Sequence, residues 1–183
     1  MWQWMLLATV LMAPNITANP SIWRIDSSRS EAHFQVNLRV PIKAEGRFTA
    51  VDGEVNLLPD FKRNVRVHLN ARELQMSGPN WVQHATVSRA FLDTQNFQKI
   101  DFQSNDFSEQ VLISGGEIKG MLTIKDISRS VVFKVLPSTC RRTGLSCSIE
   151  VNGVVNRRDF KMNANRWSVK DEVRFHFQLK FIQ

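Results

Sequence analysis

The clearest pattern in the chain lies between residues 172 and 181, where apolar and polar side chains alternate without interruption. The apolar positions are Val173, Phe175, Phe177, Leu179 and Phe181. A repeat of two residues predicts a β-strand with one solvated face and one buried face. Three bulky phenylalanines among the buried positions require an apolar surface of similar size from the rest of the chain. We therefore expect the protein to fold as a sheet around this strand.

The same alternation recurs along most of the chain after residue 21. It predicts strands over residues 34–40, 65–69, 118–124, 131–135 and 149–153. The Asp-Gly pair at positions 52 and 53, flanked by apolar residues, predicts a hairpin within residues 46–58. At least eight long strands with regular turns and no helical crossovers indicate an antiparallel sheet. Closing such a sheet into a barrel removes its exposed edges most simply, and a two-sheet sandwich is the alternative.

One stretch breaks this rhythm. Between residues 71 and 96 the apolar side chains are spaced closer to three or four residues apart than to two. This spacing predicts one or two short helices, which we expect to lie across an end of the sheet. Strands are predicted to resume afterwards, with Val111 and Ile113 in one of them.

The size of the predicted barrel bears on function. At about eight strands, the interior is either filled by side chains or wide enough for one small ligand. Phenylalanines dominate the inward positions, so any remaining space would be apolar and elongated. These residues are Phe34, Phe48, Phe102, Phe133, Phe175 and Phe177. The pattern alone leaves both alternatives open, a solid core and a cavity.

Composition and charge narrow the classes of function. The chain has 183 residues, of which 43% are hydrophobic, and this suits one domain with a sizeable core. The formal net charge of +7 permits an acidic partner such as a phospholipid surface, a phosphorylated ligand or nucleic acid. The basic residues are scattered among the predicted strands, which favours a soluble basic surface and argues against nucleic acid.

The N-terminal segment has the features of an export signal. Its first eighteen residues carry no charged side chain, and its apolar run over residues 4–13 is shorter than the about twenty residues that cross a bilayer. A polar stretch ending in the small residue Ala18 follows the apolar run. Residues 1–18 are therefore predicted to be a signal peptide cleaved near Ala18, with the mature domain over residues 19–183.

The two cysteines, Cys140 and Cys147, flank a predicted turn at Thr143 and Gly144. Strands that fold back at this turn would bring the two sulfurs within bridging distance in an oxidising compartment. A disulfide is the favoured interpretation, and free buried thiols are the alternative. The spacing is not that of a Cys-x-x-Cys redox motif, and too few His or Cys residues lie nearby for a metal site.

Several separated motifs resemble, in order and spacing, the YceI-like family of small exported proteins. They are WRID at 23–26, GRF at 46–48, FLD at 91–93, IDFQS at 100–104, GMLTIKDISRSVVFKV at 120–135 and VNRRDF at 155–160. The resemblance implies an eight-stranded, lipocalin-like antiparallel barrel around a long apolar tunnel. It also implies a periplasmic protein that binds a polyisoprenoid, its pyrophosphate or a quinone, with an inner-membrane b-type cytochrome as a conceivable partner.

The chain departs from the family pattern at four turn positions. Gln98 and Ser130 stand where the family has proline, and Asp126 and Lys161 stand where it has glycine. The Arg-Asp-x-His motif of the helical stretch is absent, so no role is carried over to His84.

The resemblance and the alternation together predict an apolar ligand-binding tunnel. We expect four strands to supply most of its lining, with Trp81 and Phe91 of the helical stretch as a lid. The strand residues are Phe34, Val36, Leu38, Phe48, Phe102, Phe175, Phe177 and Leu179. Buried methylenes can hold a long isoprenoid at roughly 0.8 kcal/mol each without any directed polar group.

A phosphorylated headgroup would require cations at one end of the tunnel. Arg157 and Arg158, together with Arg39 and Lys43, are the candidates. For the arginine pair the favoured interpretation is a solvated turn in which one of them pairs with Asp159, and the headgroup role is the alternative. No nucleophile motif, carboxylate pair or phosphate loop indicates catalysis, and His33, His68 and His176 lie opposite the apolar faces, where a metal role is not favoured.

The sequence thus predicts a periplasmic, non-enzymatic carrier of a long-chain isoprenoid lipid, either a polyprenyl phosphate or a quinone. It needs no covalent cofactor and is either a monomer or a homodimer. The alternative is a filled barrel that serves as an accessory or interaction module for a membrane b-type cytochrome.

Overall fold

The computed structural model describes residues 22–39, 43–140, 143–165 and 167–182. The predicted signal peptide, residues 1–18, lies outside the described residues. The predicted strand around Glu172 is present, and all of its inward positions from Val173 to Phe181 are buried.

Thirteen strands make up most of the described chain. They are β1 (Ile22–Ile25), β2 (Glu31–Leu38), β3 (Lys43–Phe48), β4 (Val51–Leu58), β5 (Lys62–Asn70), β6 (Leu74–Met76), β7 (Lys99–Ser104), β8 (Phe107–Ser108), β9 (Gly116–Ile124), β10 (Ile127–Val135), β11 (Ile149–Asn156), β12 (Val169–Leu179) and β13 (Phe181–Ile182). The α-helices are α1 (Asn80–Val87) and α2 (Gln110–Ser114), and the 3₁₀ helices are Ala71–Glu73 and Arg157–Phe160.

The strands form one antiparallel sheet that closes on itself. From β1 its order runs β4, β5, β7, β9, β10, β11 and β12. The last strands return to the first, because β12 pairs with β2 and β13 pairs with β1. The structure therefore confirms the predicted closed antiparallel architecture.

There are more strand segments than the predicted eight because four long strands are interrupted. β1 and β2 follow one course with a bend between them, as do β3 and β4, β5 and β6, and β12 and β13. Each half pairs with a different neighbour; for example, β3 pairs with β2 and β6, whereas β4 pairs with β1 and β5. Joining the halves leaves eight long strands, with β8 as a short addition beside β5.

The hairpin predicted at Asp52 and Gly53 is wrong. Both residues lie inside β4, where Gly53 faces Val67 of β5. A Cβ atom on Gly53 would come within 2.1 Å of the carbonyl oxygen of Arg66, so the glycine permits close approach of two strands. The Asp-Gly pair therefore marks strand packing here and not a reversal of the chain.

Neighbouring strands of the barrel are paired over unequal lengths. β9 and β10 pair along their whole length, from Ile127 against Ile124 to Val135 against Gly116. β10 and β11 pair only between Phe133 and Val135 on one side and Val151 and Gly153 on the other. Toward the start of β10 and the end of β11 this pairing stops, and the 3₁₀ helix Arg157–Phe160 lies beside β10.

The helices confirm one prediction and correct another. Helix α1 and the 3₁₀ helix Ala71–Glu73 fall within the stretch where short helices were predicted. Val111 and Ile113, predicted to be in a strand, belong to α2. Five residues span little more than one helical turn, so two apolar residues spaced two apart do not separate strand from helix at this length.

Cys140 and Cys147 form the predicted disulfide, with their Cα atoms 6.2 Å apart. The bridged segment packs on the barrel, because a Cβ atom on Gly144 would lie 2.5 Å from the ring of Phe181 and 3.1 Å from Ile149. Gly144 also needs its positive φ of 86°, which other residues adopt rarely. The bridge therefore fixes a lid over the end of the barrel where Phe181 lies.

Two of the departures from the family pattern have a backbone consequence. Asp126 and Lys161, which stand where the family has glycine, both adopt a φ of 57°. This left-handed conformation costs an L-residue roughly 1–2 kcal/mol, although aspartate tolerates it better than lysine does. Both turns thus keep the left-handed backbone conformation that suits glycine, although aspartate or lysine occupies the position.

We expect Lys161→Gly to raise the free energy of unfolding by about 1 kcal/mol, because glycine relieves this conformation. Lys161→Ala keeps the backbone strain and should change the free energy of unfolding by less than about 0.5 kcal/mol. Urea denaturation of both variants makes the comparison. Equal effects of the two substitutions would show that the side chain, and not φ, determines stability at this position.

Candidate functional site

The barrel encloses two cavities, one behind the other. The outer cavity, of about 170 Å³, lies beneath α1 and the segment from Met162 to Val169. The inner cavity, of about 50 Å³, extends toward the end covered by Leu112 of α2 and by Phe181. Ile100 and Phe175 line both cavities, so they form part of the partition between them.

Every described residue that lines the inner cavity is apolar. Its walls come from inward positions of β4, β5, β7, β9, β10, β11 and β12. The lining residues are Val55, Val65, Val67, Leu69, Ile100, Phe102, Phe107, Leu112, Ile118, Leu122, Phe133, Val135, Ile149, Val151, Phe175, Phe177, Leu179 and Phe181. With no polar side chain in its lining, this space suits a hydrocarbon chain and offers no partner to a polar group.

The outer cavity combines apolar walls with a few polar residues at one side. Strands β2, β3 and β12 and helix α1 supply most of the wall. Thr86, Arg157, Asn165 and Ser168 are the polar lining residues. A molecule with a hydrocarbon tail and a polar end would therefore find its polar partners in this cavity.

All ten residues predicted to line a tunnel lie on one of the two cavities. Seven line the outer cavity: Phe34, Val36, Leu38, Phe48, Trp81, Phe91 and Phe175. Phe102, Phe177 and Leu179 line the inner cavity, which Phe175 also borders. Their contact with a ligand stays a prediction.

Many of the lining residues are not among the ten predicted ones, and two sets show why. Val65, Val67 and Leu69 belong to a predicted alternating strand, so the same period would have identified them. Met162 and Asn165 lie in a segment without regular structure, where no periodic signal exists.

A continuous row of phenylalanine rings runs from the lining of the outer cavity to that of the inner one. The ring centroids of Phe34 and Phe175 are 6.1 Å apart, and Phe175 stacks on Phe177 at 5.9 Å with an interplanar angle of 8°. At the two ends, Phe48 lies 5.6 Å from Phe34, and Phe133 meets Phe177 edge-on at 5.7 Å. Phe175, in the middle of this row, lines both cavities and, with Ile100, stands between them.

Two glycines make room for this row of rings. Gly46 lies opposite Phe34 on the neighbouring strand, and Gly153 lies opposite Phe133. A Cβ atom would come within 2.3 Å of the Phe34 ring at Gly46 and within 2.1 Å of the Phe133 ring at Gly153. Each ring thus lies over a strand that has no side chain at that point, which lets the barrel hold large rings without expanding.

Arg157 is buried at the edge of the outer cavity, with only 1% of its surface exposed. Its guanidinium group lies over the ring of Phe91, 5.7 Å from the centroid. All five of its N–H groups have acceptors within the protein. The acceptors are the carbonyl oxygens of Met162, Ala164, Val169 and Lys170 and, 3.1 Å away, the carboxylate of Asp171. Arg157 therefore ties Met162 and Ala164 to the first residues of β12.

The favoured interpretation of a solvated turn paired to Asp159 is wrong for Arg157. Both arginines approach Asp171 instead, Arg157 from the interior and Arg158 from the surface at 3.7 Å. The first residue of the 3₁₀ helix turns inward because it continues the inward alternation of Val155, and the second turns outward. The alternation of inward and outward side chains thus continues for one residue beyond the end of β11.

The two other candidates for a headgroup site lie at the entrance of the outer cavity. Arg39 follows Leu38, and its backbone N–H donates to the carbonyl oxygen of Ser168 at 2.8 Å. Lys43 precedes Ala44, and both Ala44 and Ser168 line the cavity. Arg39 and Lys43 are exposed. Each of these two cations is thus next in sequence to a residue that lines the outer cavity, and its contact with a headgroup stays a prediction.

Within the described ranges, no group of three or more His, Cys, Asp and Glu side chains is placed to hold a metal ion. His68 pairs with Asp101, and His176 pairs with Asn152 at 2.7 Å, both on the outer face of the barrel. None of the helices in the described ranges has the length and apolarity to cross a membrane.

The YceI-like domain family matches residues 23–181, which is nearly the whole of the described chain. The chain belongs to the YceI-like family. None of the curated proteins matches it.

Solved structures of YceI-like and related proteins share the fold. BcnA from Burkholderia cenocepacia superposes with a TM-score of 0.68 at 18% identity, over 87% of this chain and 99% of BcnA. A polyisoprenoid binding domain from Saccharophagus degradans, implicated in plant cell wall breakdown, superposes with a TM-score of 0.64 at 10% identity, over 87% of this chain and 97% of that domain. The Campylobacter jejuni YceI protein gives 0.60 at 15% identity, over 75% of this chain and 84% of that protein.

We expect Arg157→Ala to lower the free energy of unfolding by about 3 kcal/mol, because it removes a buried cation and leaves its acceptors without donors. Arg158→Ala removes an exposed partner of the same carboxylate and should cost less than about 1 kcal/mol. Urea denaturation of the two variants provides the measurement. Similar losses for both would mean that the buried hydrogen bonds of Arg157 contribute little.

Proposed function

We propose that this protein binds and carries one long-chain isoprenoid lipid inside its barrel. The observation that carries the proposal is the pair of cavities along one axis, the inner wholly apolar and the outer apolar with polar residues at one side. This order matches a molecule with a long hydrocarbon tail and one polar end. The tail would enter the inner cavity, and the polar end would stay near Asn165 and Ser168.

The affinity comes from the removal of methylenes from water. Each buried methylene contributes roughly 0.8 kcal/mol, so a chain of several isoprene units is held tightly without directed contacts. Selectivity then depends on the length and the bend of the cavity, and on the few polar groups of the outer cavity.

Binding requires the phenylalanine rings to move. Pockets for ligands of moderate size have volumes of about 300–1,000 Å³, whereas the outer cavity has about 170 Å³ and the inner about 50 Å³. Rotation of the Phe34 and Phe175 rings about their side-chain bonds would join the two spaces. We therefore assign these two residues the role of an internal gate.

Family and fold support this function and its location. The chain belongs to the YceI-like family, and one domain that shares its fold is a polyisoprenoid binding domain. The Cys140–Cys147 disulfide and the apolar N-terminal run both fit export to the periplasm. We infer a carrier and not an enzyme, because the cavity lining offers no nucleophile with an adjacent base.

The runner-up function is an accessory module of a membrane b-type cytochrome, without a lipid of its own. The small volume of the inner cavity and the stacked rings of Phe175 and Phe177 favour it. In that case the rings would be permanent core packing.

A substitution that narrows the outer cavity tests the carrier function. Ala85 lies on α1 and lines the cavity, so Ala85→Phe places a ring in the space for the ligand. We expect the amount of isoprenoid in organic extracts of the purified protein, quantified by mass spectrometry, to fall about tenfold, because about two buried methylenes lose their place.

His84→Phe is the matched control for this test. His84 is the preceding residue of α1 and is exposed, so the same ring is added outside the cavity. Extracts of the control should contain as much lipid as the unmodified protein. Repeated extracts without any isoprenoid, together with no uptake of an added isoprenoid quinone, would favour the accessory module.

A second substitution separates a phosphorylated headgroup from a quinone. Lys43→Ala removes a cation at the entrance, so affinity for a polyprenyl phosphate should fall about tenfold, whereas affinity for an isoprenoid quinone should not change. Lys62→Ala, an exposed cation at the opposite end of the barrel, is the control. Titration of each lipid into the protein by fluorescence measures both affinities, and equal losses for both lipids would exclude a headgroup role for Lys43.

A further inference from the structure

The exposed surface around the entrance of the outer cavity carries aromatic and basic side chains that lipid binding inside the cavity does not require. We name it the entrance surface and define it by two tryptophans and four cations. They are Trp81, Trp167, Arg39, Lys43, Lys161 and Lys170.

Trp167 is the most exposed large apolar residue of the described chain, with 93% of its surface accessible. It lies at the tip of a turn in which the backbone N–H of Ser168 donates to the carbonyl oxygen of Asn165 at 3.1 Å. Asn165 and Ser168, on either side of this tip, line the outer cavity. The turn thus places a whole indole ring in solvent beside the entrance.

Trp81 adds a second apolar ring to the same rim. It lies in the first turn of α1, lines the outer cavity and is still 56% exposed. Water contacts much of both rings, although each ring would be more stable in an apolar or interfacial environment. Their position at one opening distinguishes them from apolar residues scattered over the surface.

Four exposed cations, Arg39, Lys43, Lys161 and Lys170, each stand next in sequence to a residue that lines the outer cavity. Arg39 is tied to the turn of Trp167 by its hydrogen bond to Ser168, and Lys43 begins the strand that pairs with the same end of β2. Lys161 and Lys170 flank the segment that carries Trp167. The nearby carboxylate of Asp171 is already engaged by Arg157 and Arg158.

The opposite end of the barrel provides a contrast. Phe61, 79% exposed, lies in the turn between β4 and β5. Its neighbours carry both signs of charge, because Asp60 precedes it, Lys62 follows it, and the nearby carboxylate of Glu109 pairs with Arg63 at 2.7 Å. An exposed aromatic residue therefore occurs at both ends, but among the described residues the two exposed tryptophans both lie at the entrance surface.

We propose that the entrance surface docks on a lipid bilayer that contains anionic phospholipids. Tryptophan rings prefer the boundary between headgroups and acyl chains, and lysines and arginines near the membrane are attracted to anionic headgroups. The biological purpose of docking rests on the proposed carrier function. When the entrance lies on the bilayer, an isoprenoid chain can move between the bilayer and the outer cavity without crossing water.

The test is co-sedimentation of the purified protein with vesicles that contain no isoprenoid. Vesicles of phosphatidylcholine with one-third phosphatidylglycerol are compared with vesicles of phosphatidylcholine alone. We expect the protein to bind the anionic vesicles at least about tenfold more tightly than the neutral ones, and 0.5 M NaCl to remove most of this difference.

Two pairs of variants locate the docking surface. Trp167→Ser should lower the affinity for anionic vesicles about tenfold, whereas Phe61→Ser at the other end should leave it unchanged. Lys170→Glu should lower the affinity severalfold, and Lys62→Glu should not. Circular dichroism spectra that match the unmodified protein exclude misfolding of these exposed variants.

The outcomes separate docking from cargo binding. Trp167→Ser protein that loses vesicle binding but yields as much extracted isoprenoid as the unmodified protein supports both proposals. Vesicle binding that depends on Trp167 in a protein without any isoprenoid keeps the docking surface and removes the carrier function. No vesicle binding, equal binding to neutral vesicles, or equal losses for Trp167→Ser and Phe61→Ser would overturn the docking proposal.

Discussion

The pairing of the last long strand with the first is the constraint on which the rest of the structure depends. β12 and β13 continue the sheet onto β2 and β1, so every inward face meets other inward faces around one axis. Without this pairing, the alternation from Val173 to Phe181 would leave one apolar face in water. The enclosed interior, its two cavities and the position of the entrance all follow from the closed ring.

Most of the fold and the cavity walls could be predicted from the sequence, because both depend on a period of two. The alternation that places Phe175 and Phe177 inward also places them on the cavities, so a correct assignment of the strand gives the lining at once. The disulfide was predictable for a similar reason, since a turn between two strands brings Cys140 and Cys147 together.

The parts that could not be predicted depend on contacts distant in sequence. Gly53 serves the close approach of β5 and not a turn, and only the position of Arg66 reveals this. The role of Arg157 depends on the carbonyl groups of a segment without regular structure, which no periodicity indicates. That segment also determines the shape of the outer cavity, so the polar side of the site was the part least visible in the sequence.

The short pairing between β10 and β11 has a mechanical consequence. Elsewhere adjacent long strands are joined over most of their length, but here the two sides of the wall are held together by the pairs from Phe133 to Val135 and by one further hydrogen bond, from the backbone N–H of Leu136 to the carbonyl oxygen of Glu150. A barrel that is widened from inside opens first where two neighbouring strands share the fewest hydrogen bonds. Phe133, which belongs to the row of phenylalanine rings, lies at this junction of β10 and β11. A guest too thick for the rings to accommodate would therefore spread the wall at this junction first, and the rest of the circumference would keep its curvature.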